Sequence, residues 1–181
     1  FYFIGAINNP EHFAIFLISI LIDYIVALKI ENTEKLKKLY LTVAVVFHII
    51  SLSLFKYSGF IIGEISRFIP NLDFAANIVL PIGISFYTFQ GLSYVIDVYR
   101  GKVKAEKCLL DFAVYIAMFE QLIAGPIVTY NQVEKELHSR KITTAAVLDG
   151  IGTFIFGLGL KVLLANPIGK MWSQVCAIGF E

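Results

Sequence analysis

The chain is poor in charge. Asp, Glu, Lys and Arg make up 16% of its 181 residues, against 57% hydrophobic, and mean hydropathy is +0.75. A soluble domain carries about a quarter charged residues. This chain has too little polar surface to wrap a water-soluble globule. Two cysteines, Cys108 and Cys176, stand far apart. That excludes a disulfide framework and a cysteine-type zinc site, and both are expected to be packing residues. The sequence has no Gly-rich phosphate loop, no serine elbow, and no His with an acid or nucleophile at a telling spacing. Its basic clusters lack interleaved aromatics, which argues against a nucleic-acid surface. Internal repeats and low-complexity tracts are missing too. The opening FYFIG has no basic n-region, so no signal peptide is expected, and the chain reads as the inside of a longer protein.

What is present are long apolar runs. A spanning helix needs about 20 mostly apolar residues. The expected spans are 13–30, 39–55, 74–99 and 148–166. The predicted fold is all-α, a polytopic transmembrane helical protein with broken or re-entrant helices, and residues 1–181 form a single incomplete membrane domain. The loops 29–38 and 100–107 hold most of the positive charge: Lys29, Lys35, Lys37 and Lys38 in one, Arg100, Lys102, Lys104 and Lys107 in the other. Two spans separate them, so both can be cytoplasmic, as the positive-inside rule requires. The apolar stretch 108–130 contains Glu120, Gln121 and the breaker Gly125-Pro126. A simple crossing would place Lys135, Arg140 and Lys141 outside. A re-entrant or broken segment fits the charge pattern better.

The segment LPIGISFYTFQGLSYVIDVYRG, residues 80–101, is apolar at its start. Pro81 and Gly83 predict a bend or a late helix start. Tyr87, Gln90, Tyr94 and Asp97 follow at spacings of 3, 4 and 3, which line one helical face. Phe86, Phe89 and Ile96 point elsewhere. That face must look into protein or water. It is either a polar seam between helices or the wall of an aqueous or substrate cavity. Asp97 is expected to pair with Arg100. In EQLIAGPI, residues 120–127, the Gly-Pro pair is either a kink between packed helices or a loop shaping a channel. His48, mid-span, reads as a hydrogen-bonded packing residue, and His12 and His138 as loop residues. Asp23, with Ser19 four residues earlier, is expected to face other helices, with a proton relay as the functional alternative. Gly150, Gly152, Gly157 and Gly159 offer faces for close helix packing. Lys161 needs a cavity, a partner or the interface.

The motifs LPIGISFYTFQGLSYVIDVYRG and QLIAGPIVTY resemble the membrane-bound O-acyltransferase family, in its bacterial alginate and peptidoglycan O-acetyltransferase branch. SILIDY, LFKYSGF, LLDFAVYIAMF and GLGLKVLLAN extend the likeness through most of the chain. D-alanine transferases of teichoic acid share GIS…TF and GPI but carry an SSGPI-like core where this chain has LIAGPI. The resemblance implies helices around a tunnel and an acyl donor, such as acetyl-CoA or another acyl thioester, on the cytoplasmic side. It also implies a cell-surface polysaccharide acceptor, reached through a secreted or periplasmic partner protein. The setting is the bacterial cytoplasmic (inner) membrane. Tyr87, Gln90, Tyr94 and Asp97 would line or brace the tunnel, and Gln121, Gly125 and Pro126 would shape its cytoplasmic approach. Arg100 and Lys102 sit where cofactor phosphates would arrive, or serve as topology charges. The family's catalytic His lies in a WHG-like motif that this sequence does not contain. No catalytic residue is therefore assigned among His12, His48 and His138; the catalytic His is expected beyond residue 181, and the segment alone is expected to be inactive. No metal is expected. Glu120 replaces the proline usual before QL in the family. A transporter or channel component and a teichoic-acid D-alanyl transferase are the competing readings.

Overall fold

The computed structural model describes residues 10–60, 64, 80–122, 125–139 and 142–178. Among these the chain is helical, with no strand. It divides into two compact units, Phe1–His138 and Ser139–Glu181.

In the first unit, α1 runs Pro10–Asn32. Pro10 suits a first helical position, because its missing N–H has no helical partner there in any case. A short 3₁₀ turn, Glu34–Leu36, leads into α2, Lys37–Lys56. The expected span 74–99 falls partly outside the described residues. Its described part is α3, Ile84–Tyr99, about 24 Å long at 1.5 Å per residue. Next come α4, Leu109–Ala117, the single turn α5, Phe119–Leu122, and α6, Tyr130–His138. Helices α1, α2 and α3 pack on one another, and α4 packs on α1 and α3. The core joins Phe16, Ile20, Ala27 and Ile30 of α1 to Tyr87, Tyr94 and Val95 of α3, with Phe112 and Tyr115 of α4. Outward faces stay apolar: Ile18, Leu21 and Ile25 of α1 and Val43, Val46 and Ile50 of α2 are exposed. A surface of that kind is suited to hydrocarbon.

The second unit is one long helix. It starts at α7, Thr144–Leu160, where the Thr143 side chain accepts from the Ala146 N–H at 3.2 Å. It passes through a π-helical turn, Lys161–Ala165, and continues as α8, Asn166–Ile178. The expected 148–166 is therefore extended at both ends. Pro167 does not stop the helix. The Asn166 N–H reaches back five residues to the Lys161 carbonyl, and this wider turn makes room for a ring that an α-helical turn would exclude.

Three helices, Pro10–Asn32, Glu34–Lys56 and Thr144–Ile178, are long and apolar enough to cross a membrane. Cys108 and Cys176 are both exposed, which corrects the expectation that they pack. Cys108 stands before the first turn of α4, and Cys176 on a helix with no buried residue.

Candidate functional site

The polar stripe lies on α3. Gly83 adopts φ +73°, a left-handed conformation that glycine takes without strain, and the helix begins at the next residue. Tyr87, Gln90 and Tyr94 are buried, whereas Phe89, beside Gln90 in sequence, is 50% exposed. The hydrophilic side of α3 thus faces protein. Tyr87 packs edge-on against Phe16 of α1, centroids 5.1 Å apart. Tyr94 lies within a ring cluster, 4.6 Å from Phe112 and 5.1 Å from Tyr130.

Tyr115 is the hub that the sequence did not reveal. Helix α4 ends at Ala117, and Met118 takes φ −58°, ψ 120°. The break removes the helical donor that the Tyr115 carbonyl would otherwise meet. Two amides replace it. Gln90 Nε2 donates to that carbonyl at 2.9 Å and Gln121 Nε2 at 2.8 Å. The Tyr115 hydroxyl donates to the Val128 carbonyl at 2.8 Å. One residue therefore ties α3, α5 and the chain beyond Gly125-Pro126 together. Gly125 has φ +118°, so its glycine is required by backbone conformation; a Cβ there would meet nothing within 4 Å. Gly125 and Pro126 are exposed. Gln121 is buried, and its Oε1 has no partner among the described residues.

A second constellation fastens the basic loop. The Glu106 N–H donates to the Tyr94 hydroxyl at 2.7 Å. Glu106 Oε1 accepts from the Cys108 N–H at 2.8 Å, and Oε2 accepts from the Tyr130 hydroxyl and lies 3.2 Å from His138 Nε2. Burial alone would raise the Glu106 pKa. The Tyr130 and Cys108 hydrogen bonds and the nearby His138 outweigh it and hold the carboxyl below its ordinary value. His138 is pushed up, by its bond to the Glu134 carbonyl and then by Glu106. Burial and the Glu106 carboxylate also raise Tyr130. Asp111 brings a third ligand-type side chain within 4.8 Å of Glu106 and His138. Both Glu106 oxygens already accept hydrogen bonds, so the group is a clamp by its geometry. Asp97 pairs with Lys102 at 3.3 Å, not with Arg100, because the loop turns back after the helix and the Lys102 N–H also meets the Asp97 carbonyl.

The third constellation links α1, α2 and α3. His48 Nε2 stands 2.8 Å from Asp23 Oδ1, with both side chains buried. A Cβ at Gly91 would fall 2.0 Å from Asp23 Oδ2. Asp23 does face other helices, as its position suggested. His48 is buried and hydrogen-bonded, as its mid-span position suggested. Its acid is 25 residues away, a separation that carries no helical signal.

The curated relatives supply the family. Over 143 residues, 77% of this chain, it is 35% identical to the probable alginate O-acetylase AlgI of Pseudomonas aeruginosa, and 34% identical over the same length to that of Azotobacter vinelandii. It is 27% identical over 195 residues, 91% of this chain, to the peptidoglycan O-acetyltransferase of Helicobacter pylori. The chain belongs to the membrane-bound O-acyltransferase family, in its alginate and peptidoglycan O-acetyltransferase branch. It spans 28%, 29% and 37% of those three relatives' own lengths. No family model and no solved structure matches it.

Of the sequence-predicted site residues, the fold brings Gln90 and Gln121 together at Tyr115 and places Tyr94 beside the Glu106 clamp. It leaves Gly125 and Pro126 at the surface and Asp97 with Lys102. Tyr115, Glu106, Tyr130 and Gly91 were missed. Glu106 carried one usable signal, as the only acid between Arg100 and Lys107.

Proposed function

We propose that this chain is part of a membrane-bound enzyme that transfers acetyl groups from a cytoplasmic-side acyl donor to a cell-surface polysaccharide. The observation that carries the reading is its likeness, across 77% of its length, to proteins named as alginate O-acetylases. The geometry supports it. A helix broken at Met118 and held by buried amides is the kind of irregular backbone that persists at membrane depth only where protein or a water-filled cavity satisfies it. In this reading Tyr87, Gln90 and Tyr94 brace the wall of a passage. Gln121, Gly125 and Pro126 shape its cytoplasmic approach, and the segment 108–130 re-enters on the cytoplasmic side. Asp97 and Lys102 close the end of α3. The donor is an acyl thioester such as acetyl-CoA, the acceptor is alginate- or peptidoglycan-like, and a secreted or periplasmic partner completes transfer. The membrane is the bacterial inner membrane. Excluding water from the passage would protect the thioester and hold donor and acceptor in line.

The test is chemical. Deleting the full gene is expected to abolish ester-linked acetate on the surface polymer, and the intact gene to restore it. Unchanged acetate after deletion rejects the reading. A flux of solute across vesicles carrying the purified protein, without any acetyl transfer, would favour a transporter.

A further inference from the structure

The Asp23–His48 pair has no task in acetyl-group binding as read above, and its place in the fold is unusual. Asp23 lies nine residues before the end of α1 at Asn32, about 14 Å along the axis. In a hydrocarbon layer about 30 Å thick that is close to the middle. His48 is likewise deep within α2. Ionisable side chains at such depth are costly and are kept with a partner or a function.

The pair's hydrogen-bond logic is simple. An ionised carboxylate only accepts, so Nε2 then carries the hydrogen and Nδ1 keeps a lone pair. With the proton on Asp23, Nε2 accepts and Nδ1 carries the hydrogen. The two states differ by one added proton: uptake at Nδ1 passes the Nε2 hydrogen to Asp23, so the proton count of the pair decides whether Nδ1 gives or takes a hydrogen bond. Nδ1 is buried and has no hydrogen-bond partner among the described residues. The Thr88 hydroxyl, one turn before Gly91 on α3, is another buried polar group with no hydrogen-bond partner among the described residues. Gly91 permits the close approach of α3 to Asp23. Against the pair, Gly91 of α3 and Phe47 of α2 carry no charge. Tyr87 of α3 is titratable but packs on Phe16. His48 is the ionisable group that acts on Asp23.

We propose that Asp23 and His48 form a proton-transfer site in the membrane interior, whose ligand is a hydroxyl group, water in the simplest case, hydrogen-bonded to His48 Nδ1. Acetyl transfer from a thioester to a hydroxyl breaks the C–S bond, forms a C–O bond and moves the hydroxyl proton to the departing sulfur. A site that takes one proton at Nδ1 and releases one serves that transfer without being consumed. This use rests on the acetyl-transfer reading; the site itself does not.

Two readouts on the full-length protein in lipid nanodiscs separate these points. The first is the ¹⁵N spectrum of labelled histidine, with His48 assigned by its loss in His48→Gln. Asp23→Asn is expected to change which His48 nitrogen carries hydrogen while leaving His12 unchanged. Identical His48 signals in the two proteins overturn the site. The second is acetyl transfer as a function of pH. His48→Gln is expected to slow it about tenfold or more near neutrality and to alter the shape of the profile, at equal protein abundance. Where His48→Gln does not accumulate, Asp23→Asn, nearly the same in shape, is measured in its place. A wild-type rate and profile overturn the link to catalysis. If the unaltered protein transfers no acetyl group, the functional reading fails, and the histidine spectrum still decides the site.

Discussion

At the residue scale, single atoms decide most of the packing. Gly91 is the clearest case. Alanine is the better helix former by about 1 kcal/mol, so an exposed helical glycine would gain from the change. Here the added methyl would sit 2.0 Å from Asp23 Oδ2. Gly91→Ala is expected to push Asp23 off His48 and to cost about 1–3 kcal/mol, as overpacked cores do. Thermal unfolding in detergent measures this, and an unchanged or raised midpoint contradicts it. None of this was legible from the sequence. Asp23 and His48 were each visible as polar residues in apolar runs, but their pairing is a property of how α1 meets α2. Periodicity within one helix carries no information on that meeting.

At the element scale, the break after α4 and the loop after α3 are the two joints. The Tyr115 carbonyl has two side-chain donors. Gln90→Leu or Gln121→Leu alone leaves one donor and should cost about 0.5–1.5 kcal/mol. The double variant orphans a buried carbonyl and should cost more than the sum of the two. Amide hydrogen exchange in the last turn of α4 reads the difference, and strictly additive effects would show that the two amides do not share a task.

The Glu106–His138 clamp makes a pH prediction. Glu106 titrates below its ordinary 4.5 in the folded protein, so its contribution is present above pH 4.5 and is lost as pH falls through the lowered value. His138 titrates above its ordinary 6.5, so its contribution is present below pH 6.5 and is lost as pH rises through the raised value. Attachment of α6 to the loop is thus expected to be tightest between about pH 4.5 and 6.5. Exchange rates of α6 amides, compared with the intrinsic rates at each pH, should pass through a minimum there. A flat protection profile contradicts the clamp. The helical spacing of Tyr87, Gln90 and Tyr94 did announce a buried face. Its partner could not be read, because Gln90 bonds to a backbone carbonyl, and every residue carries one.

At the scale of the whole molecule, charge and hydropathy were the legible quantities. The apolar runs 13–30, 39–55 and 148–166 fall within α1, α2 and the long helix of the second unit, each of which runs past them at both ends. The long helix of the second unit exceeded expectation because Pro167 is accommodated by a π turn, a backbone solution that composition does not report. Within the first unit, the Tyr24 hydroxyl donates to the Lys107 carbonyl at 2.6 Å. Tyr24 is five residues from Lys29, so the loop 100–107 lies at the end of α1 that carries the other basic segment. Cysteines replacing the exposed Lys35 and Lys104 are therefore expected to react with a membrane-impermeant maleimide from the same side, the cytoplasmic one. Labelling from opposite sides would dismantle the topology.

The account depends most on the inward turn of the hydrophilic side of α3. Nitroxide labels at Gln90→Cys and Phe89→Cys in the full-length protein, compared by collision with dissolved oxygen, test it directly. Gln90 is 2% exposed and Phe89 50%. The label at 89 is expected to show the high oxygen collision rate of the lipid interior, and the label at 90 a rate several-fold lower. Equal rates at the two positions would mean that α3 does not present its amide to Tyr115.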